Sequence, residues 1–183
     1  MDNTIRVNLT NLRSADRALQ NKAFFYVLEV TNGPVDWAYD VWDEMVTGLR
    51  HKDNHVRAIA AQVLCNLAKS DPEKRMLSDF PALLAVTKDE RFVTARHCLQ
   101  ALWKVGAAGK EQQQLLVDGL AGRFKACITE KNCTLIRYDI IQVLHNLYEQ
   151  VKDEKVREQA LAWIASEQDE KYRKKYASIW KSK

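Results

Sequence analysis

A seven-residue string that occurs twice is the feature that most constrains the fold of this chain. Residues 62–68 read QVLCNLA and residues 142–148 read QVLHNLY. The similarity is longer than seven letters, because HVRAIAAQVLCNLA at 55–68 aligns with LIRYDIIQVLHNLY at 135–148. A shorter copy, CLQAL, begins at 98, which is 35 residues after the VLCNL at 63 and 45 before the VLHNL at 143. A period near 40 residues predicts stacked repeats that bury their apolar faces against each other.

Apolar residues recur at three- and four-residue spacing along most of the chain, which indicates amphipathic helices. Ser14 and Asp36 are predicted to cap the first two helices, and Asn32-Gly33-Pro34 separates them. Ser70-Asp71-Pro72 is predicted to start a later helix, with Pro in its first turn. Short polar breaks divide the remaining chain in the same way. Short turns make neighbouring helices antiparallel, so the sequence predicts an all-α, right-handed α-solenoid of helical hairpins with about nine helices.

The turn before the first copy carries a family motif. Residues 53–57 read DNHVR, and Ala, Leu and Leu follow at 60, 64 and 67. This pattern resembles the turn and second helix of HEAT repeats, in the armadillo-type solenoid family. The resemblance covers about residues 36–167. It implies a single domain, 1–183, with an N-terminal capping region at 1–35, repeats at 36–167 and a basic C-terminal capping helix at 168–183.

The resemblance also implies roles for particular side chains. In HEAT repeats the Asp of the turn and the Arg of the second helix hydrogen-bond between successive repeats, which gives Asp53, Arg57 and Arg137 a stacking role. The second repeat departs from this pattern, because Lys88 and Phe92 stand at the Asp and Arg positions.

Composition narrows the class of protein. Only 6 Gly and 3 Pro occur in 183 residues, which argues against an all-β fold and against long flexible linkers. No apolar stretch is long enough to cross a bilayer and no leader pattern opens the sequence, so we expect a cytoplasmic protein without membrane contact. The cysteines lie within amphipathic patterns and are predicted to be reduced and mostly packed thiols: Cys65, Cys98, Cys127 and Cys133.

Charge is distributed unevenly. Six of the 28 Lys and Arg lie at 171–183, which leaves 22 basic against 24 acidic residues elsewhere, a net charge of −2. Residues 24–49 contain five acids and no Lys or Arg. The sequence therefore predicts a molecule with an acidic N-terminal part and a basic C-terminal tip.

Candidate metal ligands do not assemble into a site. Cys65 and His145 occupy equivalent positions two repeats apart, a distance of about 20 Å for stacked helices. Zinc holds each ligand at about 2.0–2.3 Å, so one ion cannot bind both. His51 and His55 flank Asp53, but the group straddles a turn, and ordinary turn residues explain it better. No metal and no cofactor is expected.

No catalytic signature is present either. His97 and Cys98 are neighbours in sequence, which places them about 100° apart on a helix, so they cannot act as a hydrogen-bonded pair. Cys98 belongs to the apolar stripe. No nucleophile elbow, phosphate-binding glycine loop or zinc-protease motif occurs. The sequence therefore favours a non-catalytic protein.

The second helices of a solenoid line its concave face. If Val63, Leu64 and Leu67 face the core, the alignment of the repeats predicts which side chains face the groove. The predicted partner-binding residues are Gln62, Cys65, Arg96, His97, Gln100, Lys104, Gln142 and His145. This row is mostly neutral and has hydrogen-bond donors and acceptors, which suits a peptide or a partner helix better than a polyanion.

Two classes of function remain open from the sequence. The first is an interaction module that holds a protein or peptide partner in the concave groove, as a scaffold or as a regulatory or immunity-type factor. The second is a nucleic-acid-binding protein, resembling the HEAT-like DNA glycosylases, that uses the basic tip. The candidate anion-binding residues there are Lys171, Arg173, Lys174 and Lys175. Tyr172, Tyr176 and Trp180 recur at helical spacing in the same segment, which favours a helix that caps the last repeat.

Overall fold

The computed structural model describes residues 1–181, so the last two residues of the predicted capping segment lie outside the described part. Its α-helices are α1 (Asn3–Asn11), α2 (Arg17–Val30), α3 (Ala38–Gly48), α4 (Asn54–Leu67), α5 (Met76–Ala85), α6 (Phe92–Ala101), α7 (Trp103–Gly106), α8 (Lys110–Ala126), α9 (Cys133–Val151), α10 (Glu154–Ser166) and α11 (Glu170–Ala177). Short 3-10 turns extend four of them, at Ala68–Ser70, Val86–Lys88, Cys127–Thr129 and Ser178–Trp180. Residues 1–181 contain no β-strand, which confirms the all-α prediction. None of the helices in this range has the length and apolar character that a bilayer crossing requires.

The helices pack as hairpins that stack side by side. The pairs are α1 with α2, α3 with α4, α5 with α6 and its short continuation α7, α8 with α9, and α10 with α11. The second helices form one row, in which α4 contacts α2 and α6, and α9 contacts α6 and α11. The first helices α3, α5 and α8 contact one another along a second row. The architecture is the α-solenoid that the internal repeat predicted.

Helix α1 is absent from the sequence prediction. Its residues, NTIRVNLTN, combine poor helix formers with few apolar positions, so periodicity alone does not reveal it. The Asp2 side chain caps it by accepting from the Ile5 N–H at 2.9 Å. Leu9 and Leu12 are buried, and Gln20 of α2 donates to the Leu12 carbonyl at 2.8 Å. Packing against α2 therefore stabilises a helix that local propensity does not favour.

Helix starts differ from the predicted caps at three places. Asp16 rather than Ser14 caps α2, since its carboxylate accepts from the N–H groups of residues 18 and 19. Helix α3 begins after Trp37 without a side-chain cap, so Asp36 does not have the predicted role. Asp71 is buried and accepts from the N–H groups of residues 75 and 76, so α5 begins at Met76 rather than directly after Pro72.

The core explains why the repeated letters recur. Val63, Leu64 and Leu67 of α4 are fully buried, and so are the corresponding residues of α9, Val143, Leu144 and Leu147. Nine of the 14 residues of α4 are buried, because this helix contacts α2, α3, α6 and α7. The prediction that Cys65 faces outward is therefore wrong. Its exposed fraction is 0%, since a helix enclosed by four neighbours has almost no free face.

Arginine–carboxylate pairs join successive repeats. Arg57 of α4 donates through Nε and Nη2 to the Asp89 carboxylate, at 2.5 and 2.9 Å, and Arg137 of α9 donates to Glu167 at 2.9 Å. Both contacts confirm the stacking role that the HEAT resemblance implied for the two arginines. In the second repeat the acceptor is Asp89, one residue after Lys88, which the alignment placed at the Asp position. The motif is therefore present there but displaced by one residue.

Asp53 also has its implied role, with a partner from the preceding hairpin. Arg17 of α2 donates to its carboxylate at 2.6 Å, while the same carboxylate caps α4 by accepting from the His55 N–H at 2.9 Å. Burial by itself would raise the pKa of Asp53, but the hydrogen bonds from Arg17 and His55 outweigh it and lower the pKa to about 2. The carboxylate thus stays ionised and joins two repeats.

We predict that the pair between Arg57 and Asp89 is a major contributor to stability. The two side chains are only 13% and 4% exposed, so Asp89→Ala leaves a buried guanidinium without its carboxylate partner. Removal of one member of such a pair costs about 3–5 kcal/mol of unfolding free energy. Glu90→Ala is the matched control: its carboxylate is 4.0 Å from Arg57 but 82% exposed, so the loss should stay within about 0.5 kcal/mol. Urea unfolding of both variants measures the difference, and equal losses would contradict the prediction.

Candidate functional site

A cleft of about 400 Å³ opens between α2, α4 and α6, three helices of the second row. We call it the α2–α4–α6 groove. Its apolar lining consists of Phe24, Phe25, Leu28, Ala58, Ile59 and Val93. Its polar lining consists of Gln20, Asn21, Asn54, His55, Gln62, Thr94 and His97. Two predicted site residues, Gln62 and His97, therefore lie in one groove.

Two of the groove residues are large apolar side chains that remain in water. Phe25 is 67% exposed and Val93 is 65% exposed, and they approach the same groove from α2 and α6. Phe24 lies beside Phe25, with ring centroids 5.5 Å apart. Single exposed apolar residues are common, but a cluster of them on a concave surface is typical of an interaction site.

The described lining of the groove contains no acidic side chain and neither lysine nor arginine. The nearest carboxylate in sequence is Asp53, which already accepts from Arg17 and lies 3.2 Å from His55 Nδ1. Gln62 donates to the Ala58 carbonyl at 3.0 Å, which leaves its amide oxygen for other contacts. The groove thus offers apolar surface and neutral hydrogen-bonding groups.

Arg96 and Gln100 have a structural partner instead of facing an open groove. Arg96 donates through Nε and Nη2 to the Asp139 carboxylate of α9, at 2.6 and 2.9 Å, and Gln100 donates to it at 3.1 Å. Asp139 is only 1% exposed, so its buried carboxylate depends on these donors for its hydrogen bonds. The two predicted site residues join α6 to α9.

Lys104 is likewise part of the packing. Its ammonium group donates to the Asn66 side chain, which in turn donates to the Leu28 carbonyl at 3.1 Å and to Thr31 at 3.0 Å. Burial lowers the pKa of Lys104. A lysine that sequence alignment places beside the groove therefore connects α7 to α4 and, through Asn66, to α2.

The remaining predicted groove residues lie at the other end of the row. Gln142 donates to Asn146 on its own helix at 2.9 Å. The His145 ring packs edge-on against Trp180, with centroids 5.0 Å apart. The predicted row is therefore divided into three parts. Gln62 and His97 lie in the open groove, Arg96, Gln100 and Lys104 belong to an interior network beside the buried Cys65, and Gln142 and His145 lie at the C-terminal end.

The basic tip is partly neutralised. Arg173 donates to the Glu167 carbonyl at 2.9 Å, and Lys174 pairs with Glu170 at 2.7 Å. Lys175 lies over the Tyr138 ring, 4.9 Å from its centroid. Lys171 packs on the ring of its neighbour Tyr172. These cations remain near the surface of α11, but they have partners within the chain.

Tyr176 fixes α11 to α9. Its ring is fully buried, and its hydroxyl donates to the Thr134 carbonyl at 2.8 Å. Aromatic contacts with Tyr138 and Tyr172 surround it, at centroid distances of 6.3 and 6.2 Å. The aromatic spacing noted in the sequence therefore belongs to packing.

The sequence analysis did not identify the exposed and aromatic groove residues Phe24, Phe25 and Val93 or the buried carboxylate of Asp139, although the sequence carries a signal for some of them. Phe24 and Phe25 are adjacent, so on a helix they point about 100° apart and only one of them can enter the core. Asp139 interrupts an apolar run in α9, and a carboxylate in such a position requires a cationic partner. No comparable signal marks Val93, whose exposure depends on how α6 packs beside α4.

The chain has structural but not sequence relatives. No family model matches it, and no curated protein is similar to it in sequence. An engineered protein superposes with a TM-score of 0.56 at 19% identity, over 98% of this chain and 88% of the other. A computationally designed armadillo repeat protein for modular peptide recognition gives 0.52 at 15% identity, over 94% and 79%. A designed armadillo repeat protein in complex with the peptide (KR)4 gives 0.50 at 15% identity, over 96% and 87%.

This chain is an armadillo/HEAT-like repeat solenoid. The likeness lies in the fold, since the identities are far below those that indicate a shared function. It agrees with the stacked hairpins and with the Asp–Arg contacts between them. Residues 1–181 contain no group of three or more His, Cys, Asp or Glu side chains that could hold a metal ion.

We predict that the exposed apolar residues of the groove contribute little to folding. The double variant Phe25→Ser, Val93→Ser should change the unfolding free energy by less than about 1 kcal/mol, because both side chains are mostly in water. It should also reduce the fluorescence of a dye that binds apolar surface, such as ANS. Val7→Ser on α1, 49% exposed and outside the groove, is the matched control and should leave dye binding unchanged. A cooperative loss of structure in the double variant would show that the groove is part of the core.

Proposed function

We propose that this protein is a non-catalytic interaction module that binds a peptide segment of a protein partner in the α2–α4–α6 groove. The observation that carries the proposal is the coincidence of exposed Phe25 and Val93 with a groove of about 400 Å³ whose described lining contains no Lys, Arg, Asp or Glu. Burial of apolar surface is the main source of affinity at such sites, and neutral polar groups set the orientation of the bound chain.

The chemistry of the lining favours an apolar segment. Asn54, Gln62 and His97 can exchange hydrogen bonds with the peptide backbone, while Phe24, Phe25 and Ile59 contact apolar side chains. The designed armadillo protein with a similar fold is in complex with a peptide of alternating Lys and Arg. The groove of this chain has no carboxylate to receive such cations, so we expect a partner of different composition.

Nucleic-acid binding through the basic tip is the alternative. The exposed ammonium groups of Lys171, Lys174 and Lys175 on α11 support it. The carboxylates of Asp169, the N-cap of this helix, and of Glu170, its first residue, oppose it, because they reduce the local positive potential that phosphate contacts require. A mobility shift at low salt that disappears in Lys174→Glu, Lys175→Glu would favour this alternative over the groove.

A peptide-display library screened against the purified protein tests the proposal. We expect enriched sequences rich in apolar residues, and dissociation constants that increase at least tenfold in Phe25→Ser, Val93→Ser. Ile128→Ser, 72% exposed on the α8–α9 turn, is the matched control and should bind normally. Arg96 is unsuitable for this test, because its loss would leave Asp139 buried without a cationic partner. Enrichment of Lys- and Arg-rich peptides, or binding that survives the double substitution, would refute the proposal.

A further inference from the structure

Two cysteines meet at the turn between α8 and α9, away from the α2–α4–α6 groove. Cys127 lies in the 3-10 turn that ends α8, and Cys133 is the first residue of α9. Their Sγ atoms are 2.7 Å apart, and both residues are free thiols. Cys127 is buried, whereas Cys133 is half-buried and accessible from solvent.

The surrounding contacts hold the turn in the conformation that joins the two sulfurs. The Glu130 N–H donates to the Cys127 carbonyl at 2.8 Å, and the Cys133 N–H donates to the Glu130 carbonyl at 3.1 Å. The Glu130 carboxylate accepts from the buried guanidinium of Arg123, at 2.6 and 2.8 Å. Arg123 also donates to Thr87 in the preceding repeat. The approach of the thiols is therefore fixed by the fold and does not depend on a chance orientation of a loose loop.

We propose that Cys127 and Cys133 are a reversible redox pair that a small disulfide, such as oxidised glutathione, converts to an intramolecular disulfide. The accessible Cys133 sulfur loses its proton to solvent and attacks one sulfur of the glutathione disulfide, which releases one glutathione. The Cys127 sulfur then loses its proton and attacks the Cys133 sulfur, which releases the second glutathione. Two protein thiols are oxidised by two electrons, and one glutathione disulfide is reduced to two thiols.

The order of attack follows from the environments of the two sulfurs. Burial and the contact with Cys133 raise the pKa of the Cys127 thiol to about 12, so Cys127 is a poor first nucleophile. Once Cys133 carries glutathione, Cys127 is already in contact with it, and proximity favours the second step.

The other two cysteines provide an internal comparison. Cys65 and Cys98 lie in the core of the solenoid, and neither is exposed. Burial raises the pKa of the Cys65 thiol to about 12 and that of Cys98 in the same direction. We therefore expect both to stay reduced under conditions that oxidise the pair at the turn.

Peptide mapping tests the proposal directly. The folded protein is equilibrated at pH 7.5 with a series of oxidised-to-reduced glutathione ratios, quenched in acid, alkylated and digested with trypsin without reduction. Cleavage after Lys125, Lys131 and Arg137 places the two cysteines on separate peptides, 126–131 and 132–137. We expect these peptides to be joined, with a mass two hydrogens below their sum, and to separate when excess reduced glutathione is added.

Stability provides a second readout. A bond that closes this short loop should raise the Tm by roughly 5–10 °C. Cys133→Ser should abolish both the joined peptides and the shift in Tm, while Cys65→Ala should retain both. The proposal is overturned if the peptides stay separate at every ratio, if Cys133 stops at the mixed glutathione disulfide, or if the joined peptides form only in urea. Failure here leaves the groove proposal intact, since peptide binding is measured with the protein reduced.

Discussion

Each repeat of this solenoid is tied to the next by an arginine that meets a carboxylate or a carbonyl of its neighbour. Arg57 reaches Asp89, Arg96 reaches Asp139 and Arg137 reaches Glu167. Apolar packing between helices is not directional and tolerates sliding, whereas a guanidinium–carboxylate contact, bidentate for Arg57 and Arg96, restricts the geometry. These pairs therefore fix the register in which the hairpins stack, and the surface of the second row depends on that register.

The same pairs determine the chemistry of the groove. Arg96, Gln100 and Lys104 lie along the row of second helices, but their polar groups are directed to Asp139 and Asn66. Arg96 and Lys104 therefore have partners within the fold, and these two cations are not directed to a polyanion on the concave surface. The open groove between α2, α4 and α6 is largely apolar and has no Lys, Arg, Asp or Glu in its described lining, and Phe25 and Val93 remain in water. This composition supports the proposal of a partner segment with apolar side chains.

The turn between α8 and α9 shows a different consequence of tight packing between repeats. Arg123 is buried and connects Thr87, in the preceding repeat, to Glu130 in the turn between α8 and α9. The turn is thereby held in a conformation that brings together two cysteines that are six positions apart in sequence. Sequence spacing gave no sign of this pair, because cysteines with this separation match no metal-binding or redox motif. Their proximity depends on the 3-10 turn that ends α8.

The amino-acid sequence by itself determined the architecture of this protein. The repeated string at 62–68 and 142–148 predicted stacked helical hairpins, because identical apolar spacing requires identical packing. The motif at 53–57 also predicted the contacts of Asp53 and Arg57 between repeats. Only the tertiary structure decided which polar residues of the second row are free. Cys65 is buried, Arg96 pairs with a residue 43 positions away, and Phe25 is exposed. Helical periodicity specifies which side chains share one face of a helix. How many neighbouring helices enclose that helix depends on how the repeats assemble.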